Sequence, residues 1–222
     1  EDVALMEAAL TTDLALPQGP ATPLRLALNA DSLATWVLPA LAATTGFRYD
    51  IVIDDQNWSE DWLRRGEVAA AITGTPGPVQ GCDSHALGRL RYTATASPAF
   101  AARWFPHGPT PEALARAPAL AFNTKDRLQH DWALARTGER IALPVHHLAS
   151  SHGFVDAARA GLGWCLNPAA LAAPHLLSGA LVDLGPPLDT PLWWQAARHT
   201  GAALVPLTRA IRAAAAKVLL PG

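Results

Sequence analysis

Apolar and polar residues alternate along the chain in blocks that predict short strands separated by helices. In the first half, residues 24–29 alternate with the two-residue period of a strand. Residues 49–53 and 68–73 have the apolar content of two further strands. Helical patterns lie between these three segments. This order of strand, helix, strand, helix and strand predicts a parallel sheet with right-handed crossovers.

The helix after the first strand carries one signal at its start and another in its middle. Asp31 and Ser32 open the helical pattern, and both are residue types that cap helices. Pro39 lies inside the pattern, so we expect a kink or an opening 3₁₀ turn there. A second helix over residues 57–65 has its acids first and its cations last, which suits the helix dipole.

The second half of the chain repeats this plan. Its predicted elements are strands 119–122, 143–148 and 163–166 and helices 127–136, 151–159 and 168–173. Two alternating runs, 89–96 and 191–198, are long enough to cross from one half to the other. A last helix over 204–220 is expected to return and pack on the first half. The predicted fold class is therefore α/β, with two Rossmann-like lobes joined by two crossover segments and a ligand cleft between them.

Composition narrows the function without identifying it. The chain has 222 residues, of which 50% are hydrophobic, and its 17 basic and 19 acidic residues leave a net charge of −2. A domain that binds nucleic acid by itself usually has an excess of basic residues, which is missing here. No run reaches the roughly 18 apolar residues of a membrane span, and no secretory signal is recognisable, so we expect a cytoplasmic location without a membrane partner.

No motif indicates catalysis, a metal or a resident cofactor. A nucleophile elbow, a P-loop and a dinucleotide-binding fingerprint are all missing from the sequence. His146 and His147 are adjacent on a predicted strand and point to opposite faces, so no metal site is predicted. Cys82 and Cys165 are too few for a disulfide framework and are expected as reduced thiols.

Polar residues follow the first strand of the first half. Asn29, Asp31 and Ser32 lie where a strand ends and a helix begins, and free backbone N–H groups at such a place suit an anion such as a ligand carboxylate. Alternatively, Asp31 and Ser32 only cap the helix.

Equivalent places in the second half also carry polar residues. Ser150, Ser151 and His152 open a helix there, either as caps or as groups that reach a ligand. Asn123 and Asp126 follow the preceding strand, and Asp126 either pairs with a ligand cation or is an ordinary solvated acid. Two such sites facing one another would suit a zwitterionic or anionic small molecule.

Seven blocks of sequence resemble one family. Residues 28–36, which read Leu-Asn-Ala-Asp-Ser-Leu-Ala-Thr-Trp, resemble the effector-binding domain of LysR-type transcriptional regulators, in the branch that responds to arginine and lysine. Within that branch are lysine-export activators and the so-called chromosome initiation inhibitors. Further matches follow in the family's order at residues 64–68, 78–82, 105–108, 125–129, 161–164 and 192–195. The resemblance covers nearly the whole chain from Leu24 onward.

The resemblance implies a type 2 periplasmic-binding-protein-like fold with the effector between two lobes. It assigns residues 24–94 plus 195–222 to lobe I and residues 95–194 to lobe II. Residues 1–23 would be the end of a linker helix and a linker. It also implies a homodimer or tetramer, and a winged helix-turn-helix that contacts DNA from an N-terminal domain missing from this chain.

Residues that the resemblance places at the effector are Asn29, Asp31, Ser32, Asn123, Asp126, Ser150, Ser151, His152 and Gln195. Two of them depart from the branch, which often has aspartate in place of Asn123 and glutamate in place of His152. A guanidinium or ammonium group needs carboxylates to offset its desolvation. The effector is therefore either a basic amino acid held by fewer charges or a less cationic molecule.

The functional expectation is a sensor and not an enzyme. Lysine or arginine would bind between the lobes without any bond being made or broken. The regulator would then control transcription as an activator, of an amino-acid exporter or a related gene, with RNA polymerase as a candidate partner. Two alternatives are a stand-alone solute-binding protein of an amino-acid transporter and an amino-acid-processing enzyme.

Overall fold

The computed structural model describes residues 21–55 and 59–222 of the chain. The predicted linker helix, most of the linker and the start of the helix predicted at 57–65 lie outside the described residues. Contacts between residues divide the chain into two compact units. Unit 1 comprises the chain up to Leu90 together with Thr190–Gly222, and unit 2 comprises Arg91–Asp189. Both divisions fall inside long strands that run from one unit into the other. The predicted α/β class with two crossover segments is confirmed.

Nine strands and nine helices are defined as follows among the described residues. The strands are β1 (Thr22–Leu28), β2 (Phe47–Ile53), β3 (Ala70–Thr73), β4 (Cys82–Ala96), β5 (Ala119–Ala121), β6 (Val145–His147), β7 (Cys165–Pro168), β8 (Val182–Asp183) and β9 (Leu188–Ala197). The helices are α1 (Ala30–Ser32), α2 (Leu38–Ala42), α3 (Ser59–Arg64), α4 (Pro98–Trp104), α5 (Pro111–Leu114), α6 (Leu128–Thr137), α7 (Ser151–Arg159), α8 (Ala169–Leu177) and α9 (Val205–Val218).

Unit 1 is built on the parallel strands that the sequence predicts. β1 pairs in parallel with β2 on one side and with β3 on the other, and β9 runs antiparallel to β3. Leu24, Leu26 and Leu28 of β1 are fully buried, as expected for a central strand. The last helix, α9, packs on α2 and buries Leu207 and Ile211, which confirms the expected return to the first half.

The first helix contains a π turn where the sequence predicts a kink or a 3₁₀ turn. Residues Leu33–Val37 are π-helical and join α1 to α2. Pro39 in the first turn of α2 has no N–H, and in a regular α-helix its ring would crowd the carbonyl of Thr35 four residues back. The chain widens the turn before the proline, so the 3₁₀ alternative is wrong, although an irregular turn at this place was expected. Such π turns are frequent at functional sites.

Unit 2 contains a two-stranded parallel sheet, which is extended by a single β-bridge to a third segment of the chain. β5 and β6 pair in parallel, and Ala119 of β5 also bridges to Trp164. A side chain at Gly163 would come within 2.9 Å of the Pro118 carbonyl oxygen, so this close approach of two backbones requires glycine. β7 and β8 pair antiparallel with the end of β4. The core includes Trp132 against Trp164, with ring centroids 5.3 Å apart.

Two short helices were not predicted from the sequence. α4 begins after Ser97, whose Oγ accepts a hydrogen bond from the Phe100 N–H, and α5 begins after Thr110, whose Oγ1 accepts one from the Ala113 N–H. Each has proline in its first turn, a pattern typical of helix starts. Both cysteines are buried, and neither forms a disulfide. In the described residues no helix has both the length and the apolar character of a membrane span.

Candidate functional site

Each unit has a polar cluster at the carboxyl edge of its parallel strands. In unit 1 the register pairs Ala27 of β1 with Ala71 of β3, and extending it by two residues sets Asn29 level with Thr73. In unit 2, β5 and β6 end together, since Ala121 is paired with His147. The helices that follow β1 and β6 therefore begin at the edge where α/β folds bind ligands.

The unit 1 cluster consists of Asn29, Ser32 and Trp36. Asn29 occupies the N-cap position of α1 in extended backbone, yet its side chain makes no capping hydrogen bond. It is only 3% exposed, and Ser32 is 0% exposed. Asn29 Oδ1, Asn29 Nδ2, Ser32 Oγ and Trp36 Nε1 all lack a hydrogen-bond partner among the described residues. Buried polar groups are normally hydrogen-bonded, so four such atoms at one helix start fit a polar ligand.

Asp31 lies next to this cluster in the first turn of the helix. Its side chain is half-buried, and its backbone carbonyl accepts a hydrogen bond from Thr35 Oγ1 at 2.6 Å. An acid in the first turn is favoured by the helix dipole. That Asp31 pairs with an effector cation stays a prediction.

The predicted pair of serines in unit 2 divides into two different environments. Ser150 is exposed, and its Oγ accepts a hydrogen bond from the Gly153 N–H at 3.0 Å, which makes it the N-cap of α7. Ser151 is buried, and its Oγ has no partner among the described residues. His152 is exposed. Ser151 is thus the one of these three with a buried polar atom left for a ligand, while effector contacts by the other two stay predictions.

Asn123 and Asp126 build the turn between β5 and α6. Asn123 Oδ1 accepts a hydrogen bond from the Lys125 N–H at 2.8 Å. The Asp126 carboxylate accepts one from the Phe122 N–H at 2.8 Å and one from the Leu128 N–H at 3.0 Å. Both side chains therefore stabilise the loop, and any contact with an effector would use the remaining lone pairs of their oxygens or the NH2 group of Asn123.

The environment of Asp126 changes its electrostatics. The alternative of an ordinary solvated acid is wrong, because this side chain is buried at 7% exposure. Burial raises the pKa of Asp126, and the two backbone N–H donors and nearby His130 oppose that rise. Burial and the neighbouring Arg127 in turn lower the pKa of His130. Asp126 is thus a partly desolvated acid whose carboxylate already accepts hydrogen bonds from backbone N–H groups of the protein.

Gln195 belongs to unit 1 and lies on β9 opposite Ala71 of β3. It is fully buried, and its Oε1 accepts a hydrogen bond from the Val79 N–H at 2.7 Å. Its Nε2 donates to Thr73 Oγ1 at 2.9 Å and to the Gly77 carbonyl at 3.1 Å. The amide is therefore engaged by the loop after β3, and direct contact between Gln195 and an effector stays a prediction.

Sequence reasoning missed Trp36 and Gln129 as candidates. Trp36 is an aromatic residue of the helical pattern after the first strand, and its Nε1 is buried without a partner among the described residues. Its position four residues after Ser32 and seven after Asn29 was the available signal, because such spacings share one helix face. Gln129 in α6 is fully buried, and neither polar atom of its amide has a hydrogen-bond partner among the described residues. Within the described part of the chain no group of acidic, histidine or cysteine side chains could hold a metal.

The chemistry of these atoms suits binding more than reaction. The unit 1 cluster offers two N–H donor groups, one amide acceptor and one hydroxyl, beside the first backbone N–H groups of a helix. These groups can hold a carboxylate and an ammonium group together. The buried Ser151 hydroxyl adds a donor or acceptor in unit 2.

Comparison with known proteins gives consistent results. The family described as LysR substrate binding domain matches residues 17–219. The transcriptional regulator ArgP of Pseudomonas fluorescens is 42% identical over 203 residues, which are 89% of this chain and 68% of that protein. The chain thus spans about two thirds of this relative's length.

Two solved structures resemble the chain closely. The C-terminal domains of a LysR family protein from Agrobacterium tumefaciens are 49% identical with a TM-score of 0.86, covering 90% of this chain and 99% of that one. Full-length LysG from Corynebacterium glutamicum with bound effector arginine is 37% identical with a TM-score of 0.79, covering 90% of this chain and 70% of that one. These relatives are regulators, which decides against a transporter binding protein and against an enzyme. The chain belongs to the LysR family of transcriptional regulators and is its effector-binding domain.

Proposed function

We propose that the domain binds a basic amino acid, L-arginine or L-lysine, as its effector. The observation that carries this proposal is the arginine effector in the LysG structure, a protein 37% identical to this chain over 90% of its length. The name of the curated relative ArgP points to the same class of effector. Asn29, Ser32 and Ser151 have buried polar atoms without a partner in the part of the chain that the structure describes, and such a ligand could satisfy them.

The unit 1 cluster suits the amino-acid end of this effector. Its N–H groups and the helix start would hold the α-carboxylate, and the Asn29 carbonyl oxygen would accept from the α-ammonium group. The cationic side chain would pair with Asp31 or Asp126, the acids that remain where the family branch often has two more. Ser151, and the other predicted residues of unit 2, would complete the contacts.

The activity of the whole regulator follows from this sensor. We propose that the full-length protein acts in the cytoplasm as a homodimer or tetramer and binds DNA through an N-terminal domain. Effector binding would shift the population of its conformations only as far as it favours one of them. Control of an amino-acid exporter gene, with RNA polymerase as a partner, is the proposed outcome.

Calorimetry with matched ligands tests the effector assignment. L-arginine and L-lysine are expected to bind the domain, while agmatine, which lacks the α-carboxylate, is expected not to bind. Citrulline keeps the size of arginine without its charge and is expected to bind at least about tenfold more weakly, as for a lost charge-assisted hydrogen bond. Absence of heat and of a thermal shift with both basic amino acids at millimolar concentration would reject the proposal.

A further inference from the structure

We propose that Gln195 is a positioning residue that sets effector affinity by fixing the loop after β3. This loop, residues 74–78, reads Gly-Thr-Pro-Gly-Pro. The inference rests on the proposed function, because it assigns Gln195 an action on the unit 1 cluster without contact to the effector.

One side chain ties both ends of this loop. Gln195 Nε2 donates to Thr73 Oγ1, where the loop leaves β3, and to the carbonyl of Gly77 near its end. Gln195 Oε1 accepts from the N–H of Val79, the residue that follows the loop. These bonds join residues more than 110 positions apart in sequence, and the amide that makes them is completely buried. The buried Gln195 amide therefore connects both ends of the loop to β9.

The loop has few means of holding itself. Pro76 and Pro78 have no N–H group, and Gly77 has no side chain. Gln195 Nε2 also donates a long hydrogen bond of 3.5 Å to the Thr75 carbonyl. Within the described residues the side-chain bonds to the loop that do not involve Gln195 are two long ones of 3.3 Å, from Thr73 Oγ1 to the Thr75 carbonyl and from Ser84 Oγ to the Pro76 carbonyl. Loop residues 75–78 are exposed, so packing does not fix them either. Their conformation thus depends on Gln195.

The loop begins beside the unit 1 cluster. Thr73 is the last residue of β3, and the β1–β3 register sets it level with Asn29. The two buried amides at this edge differ in one respect. Among residues 21–55 and 59–222, Asn29 has no hydrogen-bond partner for either polar atom, while both polar atoms of Gln195 are bonded to the protein. Asn29 is therefore suited to contact the effector, and Gln195 is suited to place the loop next to it.

Gln195→Glu tests this role through its pH dependence. The ionised glutamate keeps an oxygen that accepts from the Val79 N–H. Its second oxygen replaces the donor Nε2, so two acceptors, this oxygen and the Gly77 carbonyl oxygen, face and repel each other. Burial raises the pKa of such a carboxyl, and protonation restores a donor. We expect Q195E to bind L-arginine about tenfold more weakly than wild type at pH 8 and within about threefold of it at pH 5.5, a range that corresponds to one or two lost hydrogen bonds.

Thr208→Val provides the matched control. Trp194 lies next to Gln195 on β9, and its Nε1 donates a hydrogen bond to Thr208 Oγ1 in the same unit. Its loss is expected to lower the melting temperature while leaving arginine affinity unchanged at both pH values. Hydrogen exchange adds a readout without ligand: the Val79 amide is expected to lose protection in Gln195→Met and to keep it in T208V.

The outcomes separate this proposal from the proposed function. A Q195E-to-wild-type affinity ratio that is the same at pH 8 and pH 5.5, or a loss of affinity in T208V equal to that in Q195E, would overturn the positioning role. Wild-type protein that binds neither arginine nor lysine would instead overturn the proposed function. A pH-dependent ratio together with selective loss of Val79 protection would support the positioning role.

Discussion

Two helix starts in this domain carry similar sequence signals and use them differently. Ser150 and Asn29 both occupy N-cap positions in extended backbone after a parallel strand. The exposed Ser150 hydroxyl caps its helix through the Gly153 N–H, whereas the buried Asn29 amide makes no cap, and neither of its polar atoms has a partner in the described part of the chain. A cap residue is thus structural where its bond is made within the protein, and a candidate ligand contact where burial leaves it without one.

Asn29→Ala is expected to have the largest effect on this comparison. The substitution removes one donor and one acceptor that no described residue satisfies, so L-arginine affinity should fall about a hundredfold, as for two hydrogen bonds to a charged ligand. The free energy of unfolding should stay the same or rise, because two buried polar groups without partners are removed. Calorimetry and urea unfolding measure the two quantities. A loss of stability without a loss of affinity would assign Asn29 a structural role.

Asp126→Ala addresses a buried polar group that the protein does satisfy. Two backbone N–H groups, of Phe122 and Leu128, lose their acceptor, so we expect a loss of about 2 kcal/mol in the free energy of unfolding. The exposed Asp156, which pairs with Arg159 at the surface, is the control, and D156A should be nearly neutral.

The pH dependence of this effect has a defined sign. The pKa of Asp126 is raised above its ordinary value of 3.8 in the folded protein. Its titration therefore contributes stability that is fully present below about pH 3.8 and is lost as the pH rises through the folded-state pKa. The stability advantage of wild type over D126A should shrink as the pH rises above about 3.8. Urea unfolding across this range measures it, and an advantage that grows with pH would contradict the assigned shift.

Ser150 and Ser151 are adjacent at the start of α7, and their substitutions are expected to have the smallest effects on stability and affinity. Ser150→Ala should cost about 1 kcal/mol of stability through loss of the cap and change arginine affinity little. Ser151→Ala should lower affinity about tenfold with little change in stability, because its buried hydroxyl has no protein partner among the described residues. Thermal unfolding and calorimetry on the two variants give the comparison. The reverse pattern would assign the effector contact to Ser150 instead.

Much of the fold was predictable because strands and helices leave periodic patterns. The predicted helix at 151–159 matches α7, and the strand predicted at 24–29 is β1 shifted by a residue or two. The π turn before Pro39 was not predictable in type, because the sequence shows only that a proline interrupts the ladder. The short helices α4 and α5 are too brief to show a helical period.

The candidate site was predictable in position but not in the use of each residue. Sequence shows that Ser150 and Ser151 open a helix, but only coordinates show that one hydroxyl caps and the other is buried. Gln195 was predicted as an effector contact, and its bonds to Val79 and Thr73 depend on strands far apart in sequence. Burial and partner choice are tertiary properties, and local pattern does not encode them.

A crystal structure of the domain with L-arginine tests the central claim most directly. The account predicts that an oxygen or nitrogen of arginine lies within hydrogen-bond distance, about 3 Å, of the Asn29 amide, with the α-carboxylate at the start of α1. Arginine bound at another place, with the Asn29 amide left without a ligand contact, would contradict it.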